Sequence, residues 1–549
     1  MPFLLLPRKV GVEGLKLKFT GASFYNPTTK SFDKELFAED GVVTSPGAFD
    51  KEVKLAQGYV FPAFRDGHAH PVFAGREAAG PVVTKAKSIA EIQEILKRYR
   101  EENPDQIWIE GGAYDRSIVE GGLFLASWLD EAVSDVPVVL HASDHHTVWV
   151  NSKALALIPT PLPKLISGSI DVDASGIPMG VLREPQAMAL VLDKAPVRTI
   201  EQEMALLAWA DKLLASQGIV QAQDAWITPG MTEIYLAAVS EDALLLDYNL
   251  GFKIEPHEWV KSIEFAKADR GKVIALGKAQ LTAKTCKFFA DGVFGSGTAS
   301  VLEPYLDDAL NHGEPLWSES ELKAACLEAA KLGFQLHIHA IGDAGVRQSL
   351  DVIDFVQERL GKPELPNVIA HAELISDSDV PRFAKLNVVA NMQPLWAQAD
   401  GMLMSCVPRL GMGRIDQMYR MRDLIDSGAT IAFGSDWPVS SSNPLLGIAT
   451  AISRTTSHGE PTGGWVIEQA MSAVEAINSY TADVEYQLSG VLSTPLSTHQ
   501  TADFVVLDTD LRNASAIEIR QAKVLATYKN ANKIYDAAQS SNYVGVPLD

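Results

Sequence analysis

Gly58-Tyr59-Val60-Phe61-Pro62 reads as a strand, and His68-Ala69-His70 follows it. On an extended segment, residues i and i+2 point to the same side. Two imidazoles therefore leave the strand end together, spaced to grip one metal ion. Histidines at this spacing also occur as an ordinary surface pair, so the reading turns on the rest of the chain. Three further apolar runs end in the same manner. Leu336-His337-Ile338-His339 closes on His339, Val368-Ile369-Ala370-His371 on His371, and Ile431-Ala432-Phe433-Gly434-Ser435-Asp436 on Asp436. Each puts a metal-competent group at the carboxyl end of a short strand, where the βα loops of parallel α/β folds converge and ligands bind. Imidazole and carboxylate together suit Zn2+ and similar ions.

Further out, Ile219 to Asp224, Cys286 to Asp291 and Val388 to Gln393 are more short apolar runs. Amphipathic stretches separate them. Ser320 to Lys331 predicts a helix with Leu322, Ala325, Cys326 and Ala329 on one face. This βαβα rhythm predicts an α/β fold on a parallel sheet, open or closed. The ends differ. Leu15 to Phe19, Val53 to Val60, Ala502 to Asp508 and Val524 to Tyr528 read as short strands, with Asn26-Pro27 and Ser45-Pro46-Gly47 as turns.

The 549 residues carry 47 Lys+Arg against 69 Asp+Glu, a net charge of −22. Such a surface repels phosphate backbones, which argues against a nucleic-acid partner. With 47% hydrophobic and 21% charged residues, the composition is globular rather than disordered. No run of about 20 apolar residues exists, so no membrane span is expected. Met1 to Pro7 is too short and too Pro-bounded for a leader. Cys286, Cys326 and Cys406 share no short spacing. Neither a disulfide framework nor a Cys-based zinc site is expected, and the set fits a reducing cytoplasm. No GxGxxG follows an early strand, so a nucleotide-binding oxidoreductase lacks support.

Longer segments carry a specific resemblance. Gly111-Gly112-Ala113-Tyr114-Asp115, Asp144-His145-His146-Thr147-Val148-Trp149-Val150-Asn151-Ser152, and Ala290-Asp291-Gly292 with Thr298-Ala299 come first. His339-Ala340-Ile341-Gly342-Asp343 and Gly434-Ser435-Asp436-Trp437-Pro438-Val439 follow. In this order, from about residue 60 to 510, they resemble the amidohydrolase superfamily, and within it the N-substituted formamide deformylase-like branch, amidohydrolase family 3. The resemblance implies an α/β fold: a (β/α)8 TIM-like metal-dependent hydrolase barrel at 59–487. The strand-like ends, 1–58 and 488–549, are expected to form a composite β-sandwich beside it. Two departures stand out. His145 occupies a place where the family usually has glycine, so an extra imidazole is expected near the pocket. The C-terminal signature is reduced to Gly490-Val491-Leu492 and Thr501-Ala502-Asp503.

Counting back from Asp436 as the end of the eighth strand puts 388–393 seventh, His371 sixth, His339 fifth and the Lys287 run fourth. The runs at 244–248 and 219–224 become third and second, and the HxH strand first. The count closes at eight and leaves about 75–200 as an insertion between strands 1 and 2. The resemblance implies that a strand-4 lysine can be carbamylated and bridge two metals. Lys287 has that place, and it sits in an apolar run where an unpaired charge is costly. A lysine paired with Asp291 is the other reading. Glu184, in the insertion, is the rival: a metal ligand, a proton shuttle, a pocket carboxylate, or half of an Arg183–Glu184 surface pair.

The chemistry expected is hydrolysis of a C–N, amide-type bond of a small organic molecule, other than a peptide bond. A divalent ion, most simply zinc, in one or two copies, would activate water. His68, His70, Lys287, His339, His371 and Asp436 form the metal set. Asp436 acts as general base and then acid, His146 stabilises the oxyanion, and Glu184 has a catalytic place. Asp291, Trp396 and Arg454 are assigned to substrate binding, and Phe294 joins Trp396 as a candidate for an apolar lining. Esters, lactones, carbamates or heterocycles are alternative substrates, and a non-catalytic binding protein on a retained barrel is the alternative from outside enzymes. A small-molecule partner is expected, and a homo-oligomer stays open.

Overall fold

The structure is a computed structural model that describes residues 14–143, 145–165 and 168–539. Met1 to Pro7, Asp144 and residues 540–549, used in the sequence reading, lie outside them. Eight parallel strands neighbour one another in chain order. They are β1 (Phe64–Ala69), β2 (Ile219–Ile227), β3 (Asp247–Lys253), β4 (Leu281–Phe289), β5 (Gln335–Ala340), β6 (Asn367–His371), β7 (Val388–Met392) and β8 (Ile431–Phe433). The barrel closes just past the ends of β8 and β1. Asp436 N donates to His68 O at 2.7 Å, and His70 N to Trp437 O at 2.8 Å. The seam thus runs through the HxH segment and Asp436, which brings them together.

β5, β6 and β7 are buried at every position. Short apolar strands can do this when side chains fill the barrel and helices cover it. The helix Glu319–Lys331 is one such cover. Ser318 caps it by accepting from Glu321 N, and Leu322, Ala325, Cys326 and Ala329 form its buried face, as their spacing predicts.

Two strand boundaries differ from the sequence reading. Tyr59–Pro62 does not lead into the HxH segment; it pairs antiparallel with Phe504–Leu507 in a sheet made from both termini. The chain changes sheets at Ala63, whose N–H goes to Asp503 O while Phe64 N goes to Gly218 O. β3 starts at Asp247 rather than Leu244, because the Leu245 and Leu246 N–H groups are held by the Asp211 carboxylate instead of a neighbouring strand.

Six strands from the two ends form that terminal sheet, and four strands within residues 16–54 form another. Phe19 of the smaller sheet meets Phe504 and Tyr528 of the larger at 5.2 and 5.8 Å, and Phe504 stacks on Tyr528 at 4.5 Å. The two sheets therefore share one apolar core. Between β1 and β2 the chain builds a further five-stranded sheet, from Ile109–Tyr114, Val138–Ala142, Thr147–Val150, Ser169–Val172 and Pro178–Arg183. Its pairings are both parallel and antiparallel, and Tyr114, Phe124, Leu140 and Trp149 make its core. The sequence reading located the insertion but not this sheet. No described helix is long and apolar enough to cross a membrane.

Candidate metal centre

At the carboxyl end of the barrel, His68, His371 and Asp436 present ligand atoms all within 4.8 Å of one another, and all three are buried. Asp436 Oδ1 lies 2.9 Å from His70 Nε2 and 3.3 Å from His68 Nε2. Lys287 Nζ, from β4, stands 3.4 Å from His68 Nε2. The His339 ring packs 4.5 Å from the His371 ring, centre to centre. All six residues of the expected metal set therefore meet. His371 and Asp436 have left-handed backbone, with φ of 71° and 55°. For residues other than glycine this costs on the order of 1–3 kcal/mol and is characteristic of functional strand ends.

Neighbours fix the rings. His371 Nδ1 donates to Gln393 Oε1 at 2.8 Å, which leaves the lone pair on Nε2. His339 Nε2 donates to Gly292 O at 3.2 Å, which leaves the lone pair on Nδ1. Asp66 accepts from Ser435 N, Ser435 Oγ and His68 N at 3.0, 2.5 and 3.1 Å, tying β1 to the turn after β8.

Burial dominates the electrostatics. It takes His68 down to about 3, with the Lys287 charge adding to the effect. It holds His339 and His371 well below the ordinary histidine range. Burial alone would lower His70 too, but hydrogen bonds to Asp224 and Asp436, and their charges, raise it to about 9. Asp436 would rise on burial, yet His68 and His70 hold it well below the usual carboxylate range. Burial brings Lys287 down to about 7, with partial opposition from Asp436. Three neutral imidazoles, an ionised carboxylate and a readily deprotonated amine form a donor set that fits a divalent transition ion. His70 would exchange its proton for the cation, as ligands do.

The insertion contributes at the rim. His146 Nδ1 is 2.9 Å from Glu184 Oε2. Ser296 Oγ, from the loop after β4, donates to Glu184 Oε1 at 3.4 Å. His146 is near enough for its charge to act on His339. Glu184 is itself left-handed, with φ of 67°. Arg183 pairs with Asp171 at 2.6 Å, not with Glu184.

The three residues assigned to substrate binding part company here. Trp396 stacks on the His371 ring at 5.6 Å and 6°. Asp291 is buried: its carboxylate accepts from Ser300, Ile341 and Gly342 N–H groups at 2.8, 3.0 and 2.9 Å, and its Oδ1 lies 3.8 Å from His339 Nε2. It does not pair with Lys287. Arg454 is structural. It is fully buried, gives its N–H groups to the carbonyls of Trp465, Tyr419 and Met418, and lies over the Trp465 ring. Phe294 belongs to the apolar core. His145 lies 3.4 Å from Glu77 and stacks on His141. The sequence reading passed over His337, whose Nε2 is 3.0 Å from His68 Nδ1. Its signal was present, since His337 and His339 share one face of β5 by the same i, i+2 rule.

The sequence profile of the amidohydrolase family matches residues 51–535. Protein LONG AFTER FAR-RED 3 of Arabidopsis thaliana is 28% identical over 96% of this chain and 92% of its own length. N-substituted formamide deformylase of Arthrobacter pascens is 24% identical over 91% of this chain and 92% of its own. A solved structure titled as an uncharacterized metal-dependent hydrolase from Pyrococcus horikoshii superposes with a TM-score of 0.72 at 23% identity, covering 91% of this chain and 99% of that one.

Proposed function

This chain belongs to the amidohydrolase family of hydrolases, and from that premise we propose that it cleaves an amide-type C–N bond in a small organic substrate, using zinc or a similar divalent ion. The observation that carries the reading is the buried cluster of His68, His371 and Asp436, with His70, Lys287 and His339 around it. The similarity to an N-substituted formamide deformylase supports the bond type. When bound, a divalent cation supplies a Lewis acid and makes water a usable nucleophile near neutral pH.

The chain's own groups do the rest. His68, His70, His339 and His371 would hold the cation. Asp436, ionised by its histidine neighbours, takes a proton from the attacking water on a carboxylate oxygen and passes it to the leaving nitrogen. His146, whose Nδ1 is 2.9 Å from Glu184 Oε2, would stabilise the developing oxyanion by a hydrogen bond from its other ring nitrogen when that nitrogen carries a proton. Trp396 on His371, and Trp226, whose ring is 6.1 Å from that of His70, wall the space with aromatic faces. They favour a substrate with an apolar group beside the scissile bond.

Lys287, as its carbamate, rather than Glu184 would be the anionic ligand shared by a second ion. Its 3.4 Å approach to His68 Nε2 supports this, whereas Glu184 is engaged with His146. A burial-lowered lysine is the neutral nucleophile that CO2 addition requires. Three buried free cysteines support a reducing, cytoplasmic setting. The test is a panel of N-substituted formamides, other amides, carbamates and esters with the zinc-loaded protein. Amide turnover above ester turnover is expected, and the reverse order would transfer the assignment to esters.

A further inference from the structure

Lys253 closes β3 at the mouth of the barrel and has no place in the metal set. Successive side chains of a strand point to opposite sides. Phe252 points outward, 5.6 Å from the ring of Phe265 on the helix Trp259–Leu276. On β4, the neighbouring strand, Phe288 also points outward, 5.9 Å from Trp317. Lys253 and Phe289 therefore turn inward, and their contacts agree. Lys253 Nζ lies 4.2 Å from the centre of the Trp226 ring and 5.8 Å from that of Phe289, and the two rings meet edge-on at 4.9 Å. Trp226 reaches the His70 ring at 6.1 Å, and Phe289 reaches the His339 ring at 5.0 Å. An aromatic strip thus joins two imidazoles of the metal set to one ammonium. His70 and His339 are buried, whereas Trp226, Phe289 and Lys253 each keep partial exposure, so the strip borders open space.

Charge decides what this ammonium can do. Asp436 and Glu184 put carboxylates at the same mouth, and the chain carries a net charge of −22. A ligand bearing an anion is repelled there unless a cation receives it. Lys287 is taken up by the metal set, which leaves Lys253 as the cation on this strip. Its ion-pair partner is Glu255 at 2.6 Å, and the Glu255 side chain is 50% exposed against 12% for Lys253. A pair with one member in water is weak and exchangeable. An ammonium has three donors, and the two rings shield this one from water. A carboxylate carried along the strip would meet a less hydrated cation than an exposed lysine offers, and would accept a charge-assisted hydrogen bond from it.

We propose that Lys253 is a specificity-determining residue that receives a carboxylate of the substrate: an amide whose apolar group lies along Trp226 and Phe289 and ends in an anion at Lys253 Nζ. Glu255 holds the ammonium in the free protein and yields to the incoming carboxylate. The inference names a substrate class for the amide-hydrolase reading and rests on its placing of the scissile bond at the metal set.

The test compares two benzyl methyl ketones, in which a methylene replaces the amide nitrogen so that neither can be hydrolysed. One carries a para-carboxylate on its ring and the other a para-methyl group. Their dissociation constants are measured by calorimetry on the zinc-loaded protein, in variants whose melting curves show that they fold. The parent is expected to bind the carboxylate about 10-fold or more tightly than the neutral ketone. Lys253→Met should erase that preference, Lys253→Arg should restore most of it, and Glu255→Gln should strengthen it by removing the competing anion. A carboxylate attracted by zinc alone would keep its preference in Lys253→Met, and that result overturns the proposal. So does a parent that binds the carboxylate no better than the neutral ketone, or not at all. Turnover of the amide panel separates the two levels. A Lys253-dependent preference in a protein that hydrolyses no amide removes the C–N reading and leaves the carboxylate site. Amide turnover without the preference removes only this inference.

Discussion

His70 Nε2 and Asp436 Oδ1 stand 2.9 Å apart across the seam that closes the barrel. The same seam carries the backbone bonds Asp436 N to His68 O and His70 N to Trp437 O. The contacts that close the barrel therefore also bring His68, His70 and Asp436 together. Asp436 serves two ends: a carboxylate held ionised in a buried site, and the partner that positions the HxH imidazoles.

Asp436→Asn keeps the shape of the side chain and removes the proton acceptor. The expected result is a folded protein whose kcat falls by about 10²–10⁴-fold, seen by steady-state kinetics beside a melting curve. Turnover at the parent rate would show that Asp436 is not the base.

Much of this site was legible because strand ends announce themselves. His339, His371 and Asp436 each close an apolar run, and a run of that length has few other places for a polar group. Lys287 was legible for the opposite reason, as a charge inside a run that must be buried. For Asp291 and Arg454 the sequence shows a charge but not its partners, which are backbone groups brought in from distant loops. Tyr59–Pro62 was read into the barrel because a strand that pairs with residues 504–507 looks, along the chain, like any other apolar run. The insertion sheet stayed hidden for a similar reason: its short strands follow no helix-alternating rhythm.

Carbamate formation needs neutral Lys287, and burial lowers that lysine to about 7. The neutral fraction grows as pH rises through that value. At fixed dissolved CO2, uptake of the metal pair by apoprotein should therefore rise between about pH 6 and about pH 8 and level off above. Metal analysis of desalted samples reads this. Uptake indifferent to CO2 would remove the carbamate from the account.

Glu184→Gln keeps the hydrogen-bonding shape beside His146 but removes the carboxylate that faces its Nδ1. Metal content is expected to stay at the parent level while kcat drops by about 10–100-fold, the lower part of the range for one lost electrostatic contact. Lys287→Ala should do the reverse, losing at least one ion, with partial recovery in a short carboxylate such as acetate. If Glu184→Gln loses metal and Lys287→Ala does not, the two assignments exchange.

Phe504 is fully buried between Phe19 and Tyr528, where the two terminal sheets meet. Phe504→Ala should cost about 3–5 kcal/mol, visible as a lower denaturant midpoint. A loss under about 1 kcal/mol would mean that the sheets do not share a core in solution.

The central claim, a hydrolase built on a metal centre at His68, His371 and Asp436, is tested most directly by metal analysis coupled to turnover. Protein as purified, after chelation, and after zinc is restored is assayed on the amide panel. The account predicts one or two divalent ions per chain, loss of hydrolysis with their removal and recovery with zinc, and no recovery in His371→Ala. Chelated protein shown to be free of metal, yet hydrolysing as fast as the loaded form, would contradict it.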